Sequence, residues 1–515
     1  MLGLDKKIID QIDPILAIKR ILKDVNSDFV ISPQYKYIYK NYGNELWDHL
    51  KTLLNSGKFS PELPIYINVP KPSGLVRIGA ILKPLDRFIY QALADLLAPS
   101  IENDINRELV YSNILLKDDP DGYMFENSSE CYKNFRAAII NRCNDRNFSH
   151  VAKTDLASYF DTIYQHKLIN SLRTLNCDSG AINLLEELLL SFRERNSHGI
   201  ITGLFPSDLF GNYYLNGIDN QLLIDDITSI RFVDDIYIFL KNKIEGLKIL
   251  ENLCNTLRKE GLFLNENKTK ISTVGEIHFE ETEIDRIFNE INKEFKDIEI
   301  TYGIDLWDDI DGDKNKEEVQ DLELSKVEQL YVRKNEAEHQ RDQIIKFCLP
   351  KLAFGDSDIA LKDGFHNIIN FPYLIRDYCI YFAILGKKYQ EIKINLSQII
   401  LDNKLIYNFQ LMWVYYCLTF FNNIDNNVIN YALKLLKDKN STEVLRGILS
   451  IFIGKNGSSS QKKILINEYS NEPSDYVKSA IMYCSQHFPS SEAHSCRKAW
   501  GSHNFYNSLL SSPKK

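Results

Sequence analysis

Two adjacent carboxylates, Asp234 and Asp235, interrupt the apolar run IRFVDDIYIFL at residues 230–240. Side-by-side carboxylates repel, and burying them without partners is costly. A divalent cation would reverse that penalty, because hard cations take carboxylate oxygens. The run also reads as a β-hairpin: a strand, a tight acidic turn and a returning strand. Asp tolerates turns, so a capped hairpin tip is the plainer explanation of the same residues. A metal site needs a further oxygen, and HVAKTDLASYFDTIYQHKL offers one. Residues 151–154 read as a short strand ending at Asp155, with a helix starting near Ser158 or Tyr159. Asp161 falls on that helix, where a capping or solvent-facing role is the plainer one.

The elements that would position these acids come in order along the chain. In PIYINVPKPSGLVRIGAILKPLDRFIYQAL, Lys71 and Arg77 flank a turn at residues 72–74. Two cations on one hairpin suit phosphate binding, or are simply surface charges. In HGIITGLFPSDLFGN, Gly199 and Gly203 let a loop approach a flat ligand closely, and Pro206 and Ser207 start a helix. As structure alone, this is an ordinary loop-to-helix junction. In EGLKILENLCNTLRKEGL, Leu250, Leu253 and Leu257 share a helical face that Gly261 ends. The following FLNENKTKI returns Lys268 and Lys270 toward the sheet. SPQYKYIYKNYG gathers Tyr35, Tyr37, Tyr39 and Tyr42, whose alternation reads as one face of a strand. Cys484, His487, His494 and Cys496 could make a Cys2His2 zinc set, although Cys484 and His487 fall on an apolar helix.

Composition bounds the possibilities. The 515 residues are 44% hydrophobic and 25% charged, as in ordinary globular proteins of two to four domains. No apolar run approaches the roughly 20 residues of a membrane span, and no secretory signal is visible, so no membrane association is expected. Nine dispersed cysteines without a CxxC pair predict reduced thiols in a cytosol. A net charge of -9 argues against broad coating of nucleic acid, which usually needs a basic surface.

Texture divides the chain at two places. Residues 1–275 mix β-rich runs with helical patterns, and residues 276–325 are acidic and polar. Residues 301–330 hold ten Asp or Glu against three Lys, a composition expected of a linker. Residues 326–515 read as apolar helices with short polar breaks. Two of these helices share a layout in which Ser441 or Ser474 would cap the start. The spacing of about 33 residues is that of stacked helical hairpins.

Taken together and in this order, the segments of residues 64–275 resemble the fingers and palm of a reverse transcriptase. KTDLASYFD resembles the first palm motif, GIITGLFPSDLFGN the template-grip motif, and RFVDD the tyrosine-x-Asp-Asp motif. The departures are Phe232 where tyrosine is usual, Ile201 where proline is, and His198 where glutamine is. No thumb or maturase segment follows. In this it is most similar to the abortive-infection reverse-transcriptase-like polymerases of phage defence, especially the type carried on P2-like prophages. The resemblance implies an α+β fold: reverse-transcriptase-like fingers and palm with an N-terminal extension (1–275), an acidic linker (276–325) and an all-α HEAT-like helical-repeat domain (326–515).

That resemblance also implies a function. A hydroxyl would attack the α-phosphorus of a deoxynucleoside triphosphate, with two Mg²⁺ ions, or Mn²⁺ in their place, held by Asp155, Asp234, Asp235 and the carbonyl of Leu156. Lys71 and Arg77 would bind phosphates, and Phe160 would exclude a 2′-hydroxyl. Gly203 and Ser207 would line the nucleotide site, and Lys268 would serve the leaving pyrophosphate. Synthesis would need no template and would start from a protein tyrosine, with Tyr35, Tyr37, Tyr39 and Tyr42 as candidates. The expected product is single-stranded DNA, covalently attached, made by a homo-oligomer in the bacterial cytoplasm. The rival readings are an RNA-templated reverse transcriptase with a partner RNA, and a silent palm-like phage sensor.

Overall fold

The computed structural model describes residues 2–117, 121–280, 321–336 and 341–512. Most of the acidic linker expected at 276–325 therefore lies outside the described residues. Among the described residues the strands are β1 (Ile65–Pro70), β2 (Val76–Ile81), β3 (His150–Thr154), β4 (Ser229–Phe232), β5 (Asp235–Leu240) and β6 (Lys270–Thr273). Two compact units interleave along the chain. The first comprises residues 1–27, 43–63 and 82–303, and the second residues 28–42, 64–81 and 304–515. No helix among the described residues is long and apolar enough to cross a membrane.

The first unit is built on an antiparallel sheet of order β4-β5-β3-β6. Strand alternation sends Val151, Tyr237 and Phe239 to one face. There they meet Phe135 and Ile139 of the helix Ser128–Cys143 in a buried cluster. The helix Lys243–Lys259 buries Leu253 and Leu257 and packs on β3 and β5. Gly261, at φ +75°, follows its end, as the sequence predicts.

The second unit holds β1, β2 and the C-terminal helices. Helices starting at residues 341, 375, 408, 443, 475 and 505 pack in succession, each on the next but one in sequence. Helices starting at 361, 391, 426 and 459 make a second row in the same way. This pairing buries the apolar stripes of short helices that could not stand alone. Ser474 caps Asp475–Cys484, but the cap of Glu443–Asn456 is Thr442, not Ser441. The hairpin β1–β2 buries Ile65, Ile67 and Val69, and β1 packs on the helices Asn408–Leu418 and Glu443–Asn456.

The tyrosine-rich segment is helical, not a strand. It forms the first half of Pro33–Asn55, a helix that breaks from helical geometry at Tyr42 (φ -131°, ψ 29°). Burial of Tyr35, Ile38, Tyr39, Tyr42 and Leu46 follows helical spacing. The alternation of Tyr35, Tyr37 and Tyr39 spans only five residues, too short a window to distinguish the two periods.

Candidate active site

Asp155 follows the last residue of β3, and Asp235 is the first residue of β5. The final rung of the β3–β5 ladder pairs Thr154 with Ile236. Asp155 and Asp235 therefore lie one step beyond that rung on neighbouring strands, and alternation gives them the same face. Asp234 sits in the two-residue turn between β4 and β5, where Phe232 pairs with Asp235. Three acids from two distant segments thus meet at one end of the sheet.

Their electrostatics are those of crowded anions. Burial raises the Asp234 carboxyl to about 6, and the charges of Asp235 and Asp155 push the same way. Asp235 is raised by burial and by Asp155, against the pull of Lys268 and Lys153. Asp155 is 5% exposed, and its Oδ2 accepts an ion-paired hydrogen bond from Lys268 Nζ. Burial pulls the Lys268 ammonium down, but its bond to Asp155 and the three carboxylate charges leave it raised overall.

The turn that carries the acids is strained. Val233 has φ +55°, a left-handed conformation unusual for a β-branched residue. Both polar ends of Val233 are tied down. Its N–H donates to Ser112 Oγ at 2.8 Å, and its carbonyl accepts from Arg231 Nη1 at 2.7 Å. Arg231 is buried in turn against Asp219, with Nη2 to Oδ2 at 2.6 Å, and donates to Asn212 Oδ1 at 2.8 Å. Asn212 Nδ2 donates back to the Ser112 carbonyl at 3.0 Å. Sequence reasoning missed this network. Its signal was an arginine in an otherwise apolar strand, which requires a buried acid elsewhere in the fold.

Beyond Asp155 the chain is pinned from the far side. Asn265 N donates to the Asp155 carbonyl and Ala157 N to the Phe263 carbonyl, each at 2.8 Å. Leu156 lies between these bonds, and its carbonyl takes part in neither. The short helix Tyr159–Thr162 follows, as expected. Ile200 N donates to the Phe160 carbonyl at 2.9 Å, and Tyr159 Oη to the Gly211 carbonyl at 2.5 Å. Gly203 has φ +82°, a conformation that favours glycine, just before the helix Phe205–Tyr214. Ser207 is fully buried within that helix, sharing a hydrogen bond with Tyr90 Oη at 2.9 Å, and is not on an open surface. Exposed His198 stacks on Tyr164, with ring centroids 4.9 Å apart.

The other expected site residues belong to the second unit. Lys71 N donates to the Leu75 carbonyl across the β1–β2 turn. Arg77 stacks its guanidinium 4.1 Å from the Phe29 ring centroid, and burial pulls its pKa down. Tyr35 packs on Tyr476 and Tyr506, Tyr37 on Tyr483, and Tyr42 Oη donates to the Ser512 carbonyl. Tyr35, Tyr39 and Tyr42 are buried, and Tyr37 is half-buried.

Among the described residues, no three His, Cys, Asp or Glu side chains are drawn closely enough to hold a metal as they stand. That applies to the zinc set as well, in which Cys484 is buried with its thiol on the Ile481 carbonyl. The palm acids still fit a hard cation in kind. They offer carboxylate oxygens, Asp155 Oδ1 is buried without a hydrogen-bond partner, and three carboxylates outnumber the two lysines, Lys268 and Lys153, that act on them.

Residues 69–303 match the family described as reverse transcriptase (RNA-dependent DNA polymerase), so the chain carries a reverse-transcriptase domain. That match supports a polymerase-type nucleotidyltransferase. No curated protein sequence matches the chain. Among solved structures, apo telomerase from Candida tropicalis matches with 13% identity over 70% of this chain and 71% of its own, at a TM-score of 0.32. Telomerase from Candida albicans in complex with the TWJ fragment of telomeric RNA matches with 10% identity over 76% and 66%, at 0.31. The corresponding Candida tropicalis complex matches with 14% identity over 75% and 67%, at 0.32. Superpositions this loose say nothing of substrate.

Proposed function

We propose that this protein is a phage-defence polymerase that adds deoxynucleotides to a protein hydroxyl without copying a template. The observation that carries the catalytic part is the meeting of Asp155, Asp234 and Asp235 at one end of the β3–β5 ladder. A hydroxyl oxygen forms a bond to the α-phosphorus, the bond to pyrophosphate breaks, and the hydroxyl proton passes to water. Asp155, Asp234, Asp235 and the Leu156 carbonyl would hold Mg²⁺, or Mn²⁺, which would supply Lewis-acid charge to the transfer.

The chain's own residues do the rest. Lys268, already on Asp155, would move its ammonium to the departing pyrophosphate. The half-buried Phe160 ring would lie under the sugar and exclude a 2′-hydroxyl. Gly203 would let the loop approach the nucleotide, with Ser207 bracing its helix from inside. The sequence resemblance assigns phosphate binding to Lys71 and Arg77.

Untemplated synthesis is supported by the altered grip loop, where Ile201 is buried and His198 is stacked on Tyr164. Of the four tyrosines considered for priming, Tyr37 needs the least rearrangement to reach solvent. Phage defence, a bacterial cytoplasm and a homo-oligomeric state rest on the sequence resemblance. The test is incubation of purified protein with Mg²⁺ and labelled deoxynucleotides, without nucleic acid. Label joined covalently to protein is the expected result. A strict requirement for RNA would establish a templated enzyme instead, and no incorporation under any condition would establish a non-catalytic sensor.

A further inference from the structure

Gly211 lies inside the helix Phe205–Tyr214 and is buried. A Cβ built on it would meet three atoms of one side chain, Phe160 Cε1 at 2.8 Å, Cζ at 3.3 Å and Cδ1 at 3.6 Å. The ring of Phe160 therefore rests on the bare backbone of this helix, in the space a methyl group would fill. The main chain around Phe160 is held on two sides. Tyr159 Oη donates to the Gly211 carbonyl at 2.5 Å, and the Phe160 carbonyl accepts from Ile200 N at 2.9 Å. When a methyl is added, the ring has to yield, because rotating it is easier than moving a pinned backbone. Phe160 is half-buried, so the ring has room to yield away from the helix.

We propose that Gly211 is a positioning residue that sets how far the Phe160 ring projects, and so how much room the nucleotide sugar has. This rests on the reading of Phe160 as the sugar gate. Gly211 has ordinary helical backbone rather than a positive φ, and alanine is the better helix former. Gly211→Ala should therefore fold, with the disturbance confined to the ring.

The experiment compares wild type, Phe160→Ala, Gly211→Ala and the double variant Gly211→Ala/Phe160→Leu. Thermal unfolding is read beside KM and kcat for a deoxynucleotide and for its ribonucleotide counterpart. Phe160→Ala should admit ribonucleotides. Gly211→Ala should melt within a few degrees of wild type and raise KM for deoxynucleotides roughly 10-fold or more, with kcat changed less. Phe160→Leu in that background, by shortening the ring, should restore KM. If Phe160→Ala leaves sugar discrimination unchanged, the gate reading fails and this proposal with it. If Phe160→Ala admits ribonucleotides but Gly211→Ala leaves KM unchanged, or leucine fails to restore it, Gly211 does not set the gate.

Discussion

Arg231 Nη1 donates to the carbonyl of Val233 at 2.7 Å, two residues along the same chain, and so holds the turn that presents Asp234 and Asp235. The N–H of the same valine is held by Ser112 at 2.8 Å. A β-branched residue at φ +55° costs of order 1–3 kcal/mol and persists only where its surroundings impose it. Ser112→Ala should cost about 1 kcal/mol in urea unfolding, since the partly buried Val233 N–H loses its acceptor. Arg231→Leu should cost more, about 3–5 kcal/mol, because Asp219 is then buried without its partner. If both variants unfold like wild type, the network does not impose the turn.

The stability of the acid turn should depend on pH with a definite sign. Burial, then Asp235 and Asp155, raises the Asp234 carboxyl to about 6. A group raised on folding binds its proton more tightly in the folded state. Its stabilising contribution is full below the unfolded carboxylate range and is lost as pH rises through about 6. Asp234→Asn should therefore be more stable than wild type at pH 8, by on the order of 1–3 kcal/mol. The two should converge near pH 4. Denaturant midpoints at the two pH values check this, and a gain independent of pH would contradict it.

Lys268 and added metal should compete for the same charge. Lys268 is the cation on Asp155, so Lys268→Gln should lower the melting temperature in chelator. It should also enlarge the rise that millimolar Mg²⁺ produces, since ligand binding stabilises the folded state in proportion to affinity. Asp155→Asn should reduce that rise. Identical Mg²⁺ responses in all three proteins would mean that the ion does not bind here.

The tyrosine helix yields a separate prediction. Tyr35 is locked between Tyr476 and Tyr506, and Tyr42 is bonded to the Ser512 carbonyl. If a tyrosine of this helix primes synthesis, Tyr37→Phe should abolish covalent labelling of the protein. Tyr35→Phe and Tyr42→Phe should leave it. Peptide mapping of labelled protein decides, and an adduct on any other residue overturns the choice of Tyr37.

Much of the palm could be read in the sequence because its signals are local. The strand ending before Asp155 and the helix opening at Phe205 lie within a residue of where period and proline place them, whereas the acidic turn sits at Val233 and Asp234, with Asp235 already in β5. Non-local arrangements were not legible. Nothing near Arg231 names Asp219 or Asn212 as its partners, and nothing in β1–β2 says that the hairpin packs with the C-terminal helices. Tyr35, Tyr37 and Tyr39 alternate as a strand would. The helical period appears only once Ile38, Tyr42 and Leu46 are included. The burial of Ser207 was hidden because its partner, Tyr90, is more than 100 residues away.

The most direct test is transfer of a labelled deoxynucleotide by purified wild type, Asp155→Asn and Asp234→Asn, in Mg²⁺ at pH 8, with folding of each protein checked by melting. The palm acids as shared cation ligands predict incorporation by wild type and a loss of roughly 100-fold or more in each variant. Incorporation by folded Asp155→Asn or Asp234→Asn at the wild-type rate would contradict it.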